Sequence, residues 1–250
     1  MTAPPHWRAI DFLSDLHLSP ATPRTFDALA RHLARTPADA VFLLGDVFEA
    51  WVGDDARHAG FEAQCADMLA HAARTRHLGF MHGNRDFLVG ADLLEACGMQ
   101  ALEDPTLMLA FGQRALLTHG DMLCLDDVDY QRFRTVVRSP AWRADFLARP
   151  LDERRREAAH LRAQSKAHQA QRTPDRFFDV DPVAAAQWLR DAGAPTLVHG
   201  HTHRPASEAL GAGAVRHVLS DWDFDHAVPP RGDVLRWSHQ GFTRVMPSHG

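Results

Sequence analysis

The chain has 250 residues, 45% of them hydrophobic, a length that fits one large domain or one domain carrying a sizeable insertion. No stretch approaches the roughly 20 apolar residues of a membrane-spanning helix, and Pro4, Pro5, Asp11 and Asp15 leave no room for a signal-peptide core, so the expected location is cytoplasmic. Cys65, Cys97 and Cys124 are odd in number and far apart, which argues against a disulfide framework or a thiolate zinc site, and the net charge of −5 divides into +6 over residues 128 to 176 and −11 over the rest.

From Trp7 to about His119, short apolar runs alternate with amphipathic helices, an α/β rhythm. The runs are Ala9 to Leu13, Val41 to Leu44, Leu78 to Met81 and Ala115 to Leu117, and a fifth, Thr196 to Val198, comes later. Phe26, Leu29, Ala30 and Leu33 follow helical spacing behind Pro23, and Phe61, Cys65, Met68, Leu69 and Ala72 do the same. A short helix holding Leu93 and Leu94 closes at Gly98. Turn residues at Phe111-Gly112-Gln113, Gly211-Ala212-Gly213 and Ser238-His239-Gln240-Gly241 predict hairpins, and hence mixed sheets.

Residues 122 to 176 break the rhythm. Rich in Arg, Ala, Gln and Leu and poor in β-branched residues, they predict two or three helices inserted as a cap over a core of residues 1–121 and 177–250. Trp142 and Phe146 fall one helical turn apart, with Phe133, Val136, Val137 and Leu147 adding apolar surface that packs the cap or holds acyl chains. The clustered arginines favour an anionic ligand or membrane surface. A helix is predicted over Pro182 to Ala192, with Gly193 past its end.

Each of the five apolar runs leads into a polar motif: Asp15-Leu16-His17, Gly45-Asp46, Gly83-Asn84-Arg85-Asp86, His119-Gly120-Asp121 and Gly200-His201-Thr202-His203. A lone Asp-x-His or Gly-Asp is more often a turn, so the ordered set carries the reading. Oxygen ligands from Asp and Asn beside neutral imidazoles suit Mn²⁺, Fe²⁺ or Zn²⁺. Asp46 is the natural bridge between a divalent pair. Asp15, His17 and His203 then complete one metal, and Asn84, His119 and His201 the other. In an extended segment His201 and His203 point the same way and reach adjacent metals. His58, His71, His82 and His168 read as surface or packing residues, and His199 either orients a ligand or satisfies a strand end.

These motifs, over nearly the entire chain, resemble those of the calcineurin-like metallophosphoesterase superfamily (D-x-H, GD, GN, H, GHxH). The resemblance implies two mixed β-sheets packed as a sandwich, flanked by helices. Longer strings, above all Gly45-Asp46-Val47-Phe48-Glu49-Ala50-Trp51-Val52-Gly53-Asp54-Asp55, are similar to the branch that acts on UDP-2,3-diacylglucosamine in lipid A biosynthesis. That branch implies two divalent ions, with Mn²⁺ expected, and hydroxide attack on the α-phosphorus to give UMP and 2,3-diacylglucosamine 1-phosphate. Asn84, Arg85 and His119 are the implied catalytic residues. Substrate contacts are implied for Asn84, Arg85, Asp127, Ser165 and His201, and for Gln169 and Arg172, which stand where Asn and Lys are expected. Many relatives have His at the position of Arg85; arginine stays charged and cannot donate a proton, so an electrostatic role across the pyrophosphate is expected. The implied location is the cytoplasmic face of an anionic inner membrane, without a protein partner. No nucleic-acid motif accompanies the basic segment. The rivals are another phosphodiesterase or nucleotide phosphatase on this fold and a non-catalytic scaffold.

Overall fold

The computed structural model describes residues 1–170, 178–211 and 213–248, without the side chains of residues 166 and 168–170. Its strands are β1 (Ala9–Leu13), β2 (Ala40–Leu44), β3 (His77–Met81), β4 (Gln100–Leu102), β5 (Thr106–Ala110), β6 (Gln113–Thr118), β7 (Thr196–His199), β8 (Ala206–Gly211), β9 (Ala214–Val218), β10 (Val234–Ser238) and β11 (Gly241–Val245). Helices are α1 (Pro23–Arg35), α2 (Gly60–Ala73), α3 (Ala91–Cys97), α4 (Val128–Val137), α5 (Pro140–Leu147), α6 (Leu151–Ala170) and α7 (Pro182–Ala192). The sequence reading anticipated the strand-to-motif order and the three hairpins. It passed over β4, whose three residues include only one that is buried.

One sheet has the order β11-β10-β1-β2-β3-β4 and the other β5-β6-β7-β9-β8. Strands β1 to β4 run parallel, as do β6, β7 and β9, while the hairpin partners are antiparallel, so both sheets are mixed. Strand periodicity divides the side chains between two layers. Ile10, Phe12, Phe42 and Trp237 meet Met108, Ala115, Leu117 and Val198 between the sheets. Leu13, Leu43 and Phe80 face the other way and pack on Leu29, Leu33, Leu69 and Leu93 of the helices. A third layer puts Leu116 and Leu197 under Ala185 and Leu189 of α7. Each large side chain so buried contributes about 1.5–3 kcal/mol. The three cysteines are buried and unpaired, as small hydrophobes.

Between β6 and α7 the described residues form three α-helices, α4 to α6. Asp127 and Ser139 cap α4 and α5 by accepting from the backbone of Tyr130 and Trp142. Arg154 of α6 is buried, donating to Val52 O and pairing with Asp55, which fixes α6 to the core. Among the described residues no helix is long and apolar enough to cross a membrane.

Candidate metal centre

Parallel β1, β2 and β3 end together, and the chain turns sharply after each. Asp15, His17 and Asp46 have φ of 54°, 47° and 54°, and His201 and His203 beyond β7 have φ of 66° and 54°. This corrects the expectation of an extended Gly-His-Thr-His segment: β7 stops at His199, and left-handed backbone, not strand alternation, aims the two imidazoles. His201 Nδ1 reaches Asn84 Oδ1 at 2.8 Å, while His203 Nε2 lies 3.3 Å from His17 Nε2 and 3.3 Å from Asp15 Oδ1.

The motif glycines permit the close approach. A Cβ on Gly83 would stand 2.1 Å from Asp46 Oδ1, and one on Gly200 would stand 2.4 Å from Asp15 Oδ2. Asp86 joins the second and third motifs by accepting from Val47 N at 2.8 Å and Gly83 N at 2.7 Å. Asp15 Oδ2 likewise accepts from Ser14 Oγ and from His201 N at 2.9 Å. His119 Nδ1 donates to Leu44 O at 2.9 Å, which leaves Nε2 facing Asn84 Oδ1 at 2.9 Å.

All seven sequence-predicted ligands come together. Donor atoms of Asp15, His17 and His203 lie within 4.8 Å of one another, and so do those of Asp15, Asp46 and His119. Asn84 Oδ1 sits between His119 and His201. The residues fit divalent cations: buried Asp15 Oδ1 takes no hydrogen bond among the described residues, and imidazole and amide lone pairs converge where protons alone cannot satisfy them all. Proton demands within the set also conflict. Burial pushes Asp46 up to about 7 against the pull of His119 and Arg85, while His119, disfavoured as a cation by burial, is driven up to about 9 by Asp46, Asp15 and Asp121. Burial, then His119, takes His201 down to about 3. Divalent cations held by these residues would resolve the conflict, since their ligands must be ionised carboxylates and neutral imidazoles.

Arg85 does not pair with Asp86. Its backbone N–H donates to Asp46 Oδ1 at 2.8 Å, and its Nη1 donates to Glu49 Oε2 at 2.7 Å. The site opens into a cavity of about 1000 Å³ lined by Asp46, Asn84, Arg85 and His201, by Asp127 and Ser165 of the cap, and by Trp51, Phe87, Phe133, Trp142 and Phe146. Trp142 and Phe146 stack at 4.7 Å. Val136 and Leu147, grouped with them in the sequence, are instead exposed, at 56% and 38%. The side chain of Gln169 and the whole of Arg172 lie outside the described residues. His199 Nδ1 meets Gly200 O at 2.9 Å and so satisfies the strand end.

Sequence reasoning missed the groups behind the ligands. Asp221 lies 3.5 Å from His203 Nδ1 and is gripped by Arg231. Asp121, in a recognised motif but given no role, accepts from Tyr130 and Arg134 and seats α4, while Arg138 donates to Gly83 O at 2.8 Å.

The chain is similar to a UDP-2,3-diacylglucosamine hydrolase of Bordetella pertussis, 45% identical over 240 residues, covering 92% of this chain and 90% of the relative. It is 46% identical over 218 residues to the hydrolase of the same name from Chromobacterium violaceum, covering 86% and 90%. Among solved structures, an archaeal phosphodiesterase aligns with a TM-score of 0.48 at 9% identity, covering 95% of this chain and 98% of that one. The calcineurin-like phosphoesterase profile matches residues 9–205, a span that includes all seven candidate ligands, and the chain belongs to that family.

Proposed function

We propose that this chain hydrolyses the pyrophosphate bond of UDP-2,3-diacylglucosamine, the compound named in its relatives, releasing UMP and 2,3-diacylglucosamine 1-phosphate. One observation carries the reading: Asp46, Asn84, His201 and His203 of the candidate ligand set line the same cavity as Trp51, Phe87, Phe133, Trp142 and Phe146. That pairs a diphosphate site with room for acyl chains, each methylene of which contributes about 0.8 kcal/mol when buried.

Asp46 would bridge two divalent cations, with Asp15, His17 and His203 on one and Asn84, His119 and His201 on the other. When bound, such a pair lowers the pKa of water and offsets phosphate charge. Arg85 supplies fixed positive charge beside Asp46, stabilising the charge that develops as the P–O–P bond breaks. Water oxygen ends on the α-phosphorus, and the sugar phosphate departs with the bridging oxygen. Asp127 and Ser165, on the cavity wall, are the proposed glucosamine contacts, together with Gln169 and Arg172. Mn²⁺ is the proposed ion, to be checked by metal analysis of the purified protein.

Turnover in oxygen-18 water tests the chemistry. Label is expected in UMP; label in the lipid phosphate reverses the point of attack, and no turnover removes the assignment. Exposed Leu125, Val128 and Val136, on and just before α4, support seating on an anionic membrane. Sedimentation with phosphatidylglycerol vesicles checks this, and equal recovery of wild type and a triple serine variant in the pellet counts against it.

A further inference from the structure

The Gly45 to Asp55 string contains an acid that binds no metal in the scheme above. Glu49 joins two parts of the chain. Its Oε2 accepts from Arg85 Nη1 at 2.7 Å, and its Oε1 accepts from Arg162 Nε at 3.0 Å and Nη2 at 2.9 Å. Arg85 follows β3, whereas Arg162 belongs to α6 of the cap. Both arginines line the cavity beside Asp46 and Asn84, with side chains 13% and 27% exposed. The same carboxylate stands 3.5 Å from His17 Nδ1, on the side of the ring away from His203.

We propose that Glu49 is a positioning residue for the hydrolysis, clamping Arg85 and Arg162 as a pair of fixed cations at the metal site. The inference rests on the hydrolase reading above. Arginine side chains carry a large rotamer entropy. Two of them free in a cavity would have to be ordered as charge develops on the phosphates, whereas a clamped pair is already in place. The clamp also makes the seating of α6 part of the site, since Arg162 brings the cap helix with it. Glutamine cannot replace the acid here: its amide offers one acceptor oxygen, and its NH₂ would face the N–H groups of a second guanidinium.

The test uses the full chain loaded with Mn²⁺ and UDP-2,3-diacylglucosamine as substrate, comparing wild type with Glu49→Gln, Glu49→Asp and Arg162→Ala. Glu49→Gln is expected to lower kcat about tenfold, the scale of losses when groups supporting a metal site are removed, with KM within about twofold and metal content unchanged. Glu49→Asp, which keeps both charged oxygens, should recover part of kcat. Adding Arg162→Ala to Glu49→Gln should cost much less than Arg162→Ala alone, because the clamp is already open. Wild-type kcat in Glu49→Gln, independent effects in the double variant, or loss of bound metal would each overturn the proposal. An inactive wild type would instead sink the hydrolase reading, and this proposal with it.

Discussion

Among the described residues, five of the six non-glycine positions with positive φ are Asp15, His17, Asp46, His201 and His203. Left-handed backbone costs an L-residue about 1–2 kcal/mol, so the fold bears strain at five of the seven candidate ligands. The strain gives a separable prediction at Asp46. Asp46→Ala and Asp46→Gly should both lose turnover and bound metal, since the bridge is gone. In metal-free protein, however, Asp46→Gly should be more stable than Asp46→Ala by about 1 kcal/mol, because glycine accepts φ near 54° without a Cβ clash. Urea melts of the two variants decide it, and equal midpoints mean that the strain is not real. Arg85→Ala should behave differently from both. Its guanidinium contacts Glu49 and Asp46 but is no ligand, so kcat should fall about 10²–10³-fold with metal content intact by elemental analysis.

At the scale of elements, legibility follows the range of the interaction. Strand runs and the motifs beyond them are local patterns, so the seven candidate ligands that the fold brings together could be picked out from sequence. Asp221 behind His203 and Arg162 on Glu49 could not, because nothing in the spacing announces a contact, least of all between Glu49 and Arg162, 113 residues apart. The string from Gly45 to Asp55 lies between these cases. Its composition was distinctive, but its reasons are tertiary: Asp54 accepts from Gly90 N and Leu93 N at the start of α3, Asp55 holds Arg154, and a Cβ on Gly53 would stand 2.2 Å from Arg154 Nη1. Within the cap, the aromatic residues also divide by burial. Phe146 is 2% exposed and joins the same buried cluster as Val52, Leu88 and Val89, so its truncation would cost about 3–5 kcal/mol of stability and report folding. Phe133 is 40% exposed and Trp142 partly buried, and both line the cavity. Phe133→Ala and Trp142→Ala should therefore raise KM for the diacyl substrate several-fold more than for a short-chain analogue. Equal increases would remove these rings from acyl binding.

Across the whole molecule, the charge asymmetry of the sequence becomes complementarity between cap and core. Arg134 and Arg138 meet Asp121, Arg154 meets Asp55, Arg155 meets Glu62 and Arg162 meets Glu49. Much of the basic surplus is therefore matched inside the protein, and Arg132 and Arg156 are among the cap arginines left exposed. A second whole-molecule consequence comes from a histidine remote from the metal centre. His217 of β9 meets Ser207 Oγ at 2.8 Å and packs on Phe242 at 4.7 Å. Burial, aided by Arg244, lowers its pKa from 6.5 to about 4. The folded state thus keeps the ring neutral where the unfolded chain would bind a proton. Its contribution to stability is complete above pH 6.5 and is lost as pH falls toward about 4, with a limiting slope of about 1.4 kcal/mol per pH unit. His217→Gln, which keeps a partner for Ser207, removes that titration. Stability curves of wild type and variant should run parallel above pH 6.5 and converge or cross below it as wild type declines faster. Parallel curves down to pH 4 would mean that His217 is protonated in the fold as readily as in the unfolded chain, and that burial between β9 and β11 does not exclude the charge.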